Sequence, residues 1–173
     1  MMVQRAMNKI WKILQYPLAV LLIGAILLGV RIGQKSMTPF ENMQSAVESK
    51  ADFSLMQKAD NQMFKRLYGL DANTFEGVLL YYPLTNMGVE EVLLVKVDSQ
   101  EDRDAVKQAV ESRLAAQMKS FDGYGVGQSE MLEKAVIHYD ESYVLFCVGD
   151  QTADVEAAYL AAYKGEWSGE VTP

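Results

Sequence analysis

Between Lys12 and Arg31 the chain runs from residue 13 to residue 30 without a charge and almost without a polar side chain. At 1.5 Å per residue such a helix is about 27 Å long, close to the roughly 30 Å of a bilayer's hydrocarbon core. Lys12 and Arg31 make up the difference by snorkelling, and Trp11 and Tyr16 stand where an interfacial aromatic belt is expected. Pro17 falls near the start of the run, where a missing N–H costs least. The run is apolar on every side, which suits lipid better than a one-sided globular core. The expectation is a transmembrane helix over 13–30. A cleaved signal peptide is the rival reading, but Arg31 spoils the small-x-small pattern that cleavage requires. An uncleaved signal-anchor is therefore favoured. Three bases and the terminal amine precede the run and two bases follow it, which puts residues 1–12 in the cytoplasm and the rest outside the cell.

Charge divides the chain in the same place. Five of the 16 bases and none of the 23 acids lie in residues 1–35, which leaves residues 36–173 at -12. Nucleic acid is excluded as partner, because phosphate neutralisation needs a basic face. The single cysteine, Cys147, rules out an intramolecular disulfide and a thiolate zinc cluster.

Residues 31–59 read as a juxtamembrane stalk merging into helix. Thr38 before Pro39 opens that helix, and Phe40, Met43 and Val47 follow at helical spacing. Asp60 is an N-cap for a second helix that Gly69 ends. Two β-rich runs follow, 78–82 and 91–97, then a long helix capped by Asp98 or Ser99. Its inner stripe is Val106, Ala109, Val110, Leu114, Met118 and Phe121. A glycine-rich corner, 122–127, ends it. Runs 135–139 and 143–148 make a hairpin, Thr152 caps a last helix, and residues 164–173 form a flexible tail. The expected fold is α+β: a helical lead-in, then a ββαββα domain over 60–163. Its four-stranded, mainly antiparallel sheet carries helices on one face.

Several of these stretches carry a resemblance. Tyr68-Gly69 and the second strand, the helix end MKSFDGY at 118–124, Gln128 and the YVLF of 143–146 resemble a Firmicutes family of unknown function. Its members are extracytoplasmic domains, tethered by a lipoprotein signal or an N-terminal helix. The resemblance covers roughly residues 60–163. The chain departs from it at Val126, where a proline is expected, and at Glu141, where a turn glycine is usual. The resemblance implies an outside location and no activity.

The candidate chemistries fail on spacing. A two-residue turn at Asp140-Glu141 sets His138 opposite Tyr143 and Cys147 opposite Lys134, roughly 14 Å along the ladder. That is too far for a cysteine–histidine dyad, so Cys147 reads as a core residue. The glycines at 123, 125 and 127 follow a helix rather than a strand, unlike a dinucleotide loop. Asp98, Glu101, Asp102 and Asp104 lack the spacing of a helix–loop–helix calcium site and serve as caps. No cofactor and no metal is implied.

What remains is aromatic surface around the strand ends and the corner. Tyr124, Tyr82 and Tyr143 are the candidate partner-binding residues, since tyrosine offers area with a polar tip. Beyond the bilayer, the expected partner is an envelope protein or polymer. The functional expectation is a binding module of the cell envelope. The alternative is an enzyme of unfamiliar type, using carboxylates and tyrosines near the glycine corner.

Overall fold

The computed structural model describes residues 38–123 and 125–169. The proposed cytoplasmic segment 1–12, the apolar run 13–30 and residues 170–173 lie outside them. Among the described residues no helix is long and apolar enough to cross a membrane.

The elements run α1 (Phe40–Glu48), β1 (Met56–Lys58), α2 (Asn61–Tyr68), a short 3-10 turn (Ala72–Thr74), β2 (Gly77–Pro83) and β3 (Glu91–Lys96). After these come α3 (Gln100–Phe121), α4 (Val126–Glu133), β4 (Val136–Tyr139), β5 (Tyr143–Val148) and α5 (Thr152–Tyr163). The strands form one antiparallel sheet in the order β1-β2-β3-β5-β4. Two hairpins, β2–β3 and β4–β5, thus join through their inner strands.

The local signals explain the helix boundaries. Asp60 accepts the N–H of Met63 at 2.8 Å to start α2, and Gly69 stops it in the left-handed region at φ 72°. Ser99 caps α3: its Oγ accepts the Asp102 N–H at 3.0 Å and its hydroxyl donates to the Asp102 carboxylate at 2.6 Å. The last helix departs from expectation: Gln151 precedes it, and no side chain caps it.

Two expectations about the sheet need correction. It has five strands, because residues 56–58, read as stalk, form the edge strand β1. Three residues with Gln57 and Lys58 exposed give no periodicity to detect, and edges are commonly kept short and polar. The helices cover both faces, not one. Leu93, Val95, Val144, Phe146 and Val148 pack with α2, α3 and α4, whereas Val92, Leu94, Tyr143, Leu145 and Cys147 pack with α1 and α5. The central strands β3 and β5 are buried at nearly every position, which is what a sheet covered twice demands.

The expected stalk helix is also part of the core. Met43, Ala46 and Val47 of α1 are fully buried against α5, where Ala158 and Ala162 allow close approach. Thr38 is fixed at one end of the sheet. Its hydroxyl donates to the carbonyl of Ala162 at 2.6 Å, and its own carbonyl accepts the Tyr143 hydroxyl at 2.7 Å. The first bond adds a second donor to a carbonyl that already accepts the Gly165 N–H at 3.0 Å, at the C-terminal end of α5.

Candidate functional site

At the opposite end of the sheet, β2 ends, β3 begins, β5 ends and α5 starts. Three features meet there: a buried polar knot, a cavity and an exposed apolar group.

The knot centres on Glu91, the first residue of β3, whose side chain has no exposed surface. Arg113 holds it with Nη2 2.7 Å from Oε2 and Nε within 3.2 Å of both oxygens. Gln117 donates to Oε2 at 3.0 Å and Tyr68 to Oε1 at 2.5 Å. A carboxylate can enter a core only when so fully paired. Burial, reinforced by the Glu91 charge, pushes the Tyr68 hydroxyl well above its ordinary value. Burial works against the Arg113 guanidinium, but its bond to Glu91 and the Glu91 charge outweigh that and raise it. With Tyr68, Arg113 and Gln117 all donating to Glu91, the group ties β3 to α2 and α3.

Sequence reading missed this knot. Arg113 and Gln117 lie on the same stripe as Val106, Val110 and Phe121, and that spacing was the available signal. Met118, expected inside, is 39% exposed, and Gln117 is the buried neighbour.

The cavity lies on the other face of the sheet, with a volume of about 140 Å³. Met56, Val92, Cys147 and Val155 make its apolar floor, all of them buried. Asp52, Glu90 and Asp150 stand on its lining with the first turn of α5, and no lysine or arginine lines it. Asp52 accepts the Ser54 N–H at 2.8 Å and Glu90 the Val89 N–H at 3.0 Å, so each carboxylate is oriented by its own turn. The backbone bond from Ser54 holds the Asp52 carboxyl below its usual value. Burial alone pushes the Cys147 thiol up to about 12. A thiol in that state is a poor nucleophile at neutral pH.

Leu55, Leu84, Met87 and Val126 are 59%, 50%, 56% and 72% exposed. Hydrogen bonds link their segments: Leu84 N–H to the Leu55 carbonyl at 2.9 Å, and the Gln128 amide to the Met87 carbonyl at 3.2 Å. Leu55 also lines the cavity, so the apolar group and the cavity mouth adjoin.

The three tyrosines expected to bind a partner have different positions. Tyr82 is half-buried on β2, opposite Gln57 of the edge strand. Tyr143 is fully buried and donates to Thr38, so it offers no surface in this fold. The periodicity could not separate it from an exposed neighbour, because β5 is covered on both faces. Tyr124 lies outside the described residues. In the corner, Phe121 is buried, and a Cβ at Gly125 would stand 2.7 Å from its Cδ1, which is why a glycine precedes α4.

The register around Cys147 differs from the expected one. The β4–β5 turn is Glu141-Ser142, so His138 faces Leu145 and Cys147 faces Val136. His138 and Cys147 become diagonal neighbours, about 7–8 Å apart by strand geometry, still beyond hydrogen-bond reach. His138 instead meets Glu156 of α5, Nε2 to Oε1 2.7 Å, and lies against the Tyr159 ring. Among the described residues there is no group of three or more side chains able to hold a metal ion.

Residues 49–149 match the profile of a family described as a domain of unknown function, DUF4358. No curated protein and no solved structure matches the chain.

Proposed function

The chain belongs to the DUF4358 family, whose function is unknown, and from its own residues we propose that it is a tethered binding module of the cell envelope: the 13–30 run holds it in the membrane, and the domain outside the cell grips a protein partner. The single observation that carries the binding reading is the linked apolar group Leu55, Leu84, Met87 and Val126. Large apolar side chains left half or more exposed, on segments tied together and rimmed by polar residues, are what a contact surface requires. Tyr82, next but one to Leu84, and Tyr124, next but one to Val126, flank this group in sequence and belong to the proposed contact. The tether reading rests on the apolar run with bases at both ends.

The test is photo-crosslinking of the full chain in intact cells, comparing the wild type with a Leu84→Glu, Met87→Glu double variant. Both side chains are exposed, so the melting temperature should stay within a degree or two. The crosslinked partner band should fall about tenfold. An undiminished band with normal abundance sinks the reading.

A further inference from the structure

The cavity beside the apolar group has a size and a charge that specify what fills it. Pockets for cofactors and drug-sized ligands run from roughly 300 to 1,000 Å³. At about 140 Å³ this one has room for a single side chain. Its floor is apolar and its lining carries three carboxylates and no lysine or arginine. The first turn of α5 contributes in the opposite sense, but a helix end is worth only about half a positive charge, against three negatives. An anion is therefore disfavoured, and an uncharged side chain would leave the carboxylates unused. The complementary group is a cation at the end of an apolar stem. Lysine has that shape: its four methylenes cover an apolar floor while the ammonium reaches the polar rim.

We propose that the cavity lined by Met56, Val92, Cys147 and Val155 receives a lysine side chain of the partner polypeptide, its ammonium facing the acidic lining that Asp52, Glu90 and Asp150 provide. The proposal rests on the binding-module reading and deepens it. Leu55 belongs to both the cavity and the exposed apolar group, so one partner segment can seat its lysine and cover that group together. The net charge of -12 over residues 36–173 attracts a basic segment before contact is made.

The experiment uses the full chain in lipid nanodiscs, with 13C-methyl methionine, and follows the Met56 methyl resonance in the cavity floor. Nα-acetyl-lysine methylamide should move that resonance saturably, and the norleucine counterpart should leave it still. In Asp52→Asn, Glu90→Gln, Asp150→Asn the shift should vanish, with the far-ultraviolet melt unchanged. A Met56 methyl indifferent to lysine, moved equally by the two analogues, or still moved by lysine in the triple variant overturns the proposal. If crosslinking is lost in the Leu84→Glu, Met87→Glu variant while the cavity shows no lysine preference, this inference alone fails. If the cavity selects lysine but crosslinking survives that variant, the apolar surface fails instead.

Discussion

Arg113 and Glu91 form a salt bridge at 2.7 Å in which the arginine side chain is 18% exposed and the glutamate not at all. Such a pair contributes little compared with a well-packed apolar pair, yet breaking it strands a buried charge. Arg113→Ala should therefore cost about 3–5 kcal/mol in urea unfolding. Replacing both residues by apolar ones of similar volume, Glu91→Leu with Arg113→Met, should cost less than Arg113→Ala alone. A loss under about 1 kcal/mol for Arg113→Ala would mean that Glu91 finds water or another donor.

Stability should decline on the alkaline side in a way set by buried tyrosines and one thiol. Burial, the leading cause throughout, pushes Tyr81 and Tyr139 up to about 12 and also raises Tyr68, Tyr143 and Tyr159, against an ordinary value of 10.0. Cys147 rises from 9.0 to about 12. Folded-state values above the unfolded ones mean that the native state holds these protons more tightly. Their stabilisation is complete below about pH 9 and drains away as pH climbs from there past 12. Urea midpoints measured between about pH 8 and 11.5 should be flat at first and then fall. Midpoints that rise, or stay level throughout, contradict the burial of these groups.

The corner makes a graded prediction. Phe121→Ala should cost roughly 3 kcal/mol or more, since the ring is buried at the end of α3. Gly125→Ala should cost about 1–3 kcal/mol, because its Cβ would meet the Cβ of Phe121 at 2.9 Å as well as the ring. Gly127→Ala has nothing within 4 Å and should be neutral or slightly stabilising. Thermal melts of the three variants check the order; Gly127→Ala as damaging as Gly125→Ala would refute the steric explanation.

The outside location has a direct chemical test. Ser168 is exposed, so a Ser168→Cys substitution in a Cys147→Ala background places the only thiol on the domain surface. In wall-stripped intact cells it should react with a membrane-impermeant maleimide. Labelling that appears only after permeabilisation would reverse the proposed orientation.

The residues whose effect is local were legible in the sequence. Asp60, Ser99 and Gly69 act on backbone groups within three or four positions of themselves, so α2 and the start of α3 follow from type and spacing alone. The strands 78–82, 91–97 and 143–148 were likewise visible, because a β-rich run is a property of consecutive residues. What joins distant residues was decided by the tertiary structure. β1 exists as a strand because β2 lies beside it, and three residues carry no pattern of their own. Burial of both faces of β3 and β5 decided that α1 and α5 lie opposite α2, α3 and α4, and it removed Tyr143 from the surface. Glu91 meets Tyr68, Arg113 and Gln117 across separations of 23, 22 and 26 residues, and the cavity gathers side chains from position 51 to position 155. Hydrogen bonds and packing at such separations depend on which faces meet after folding, and periodicity, which spans a few residues at a time, contains no term for that.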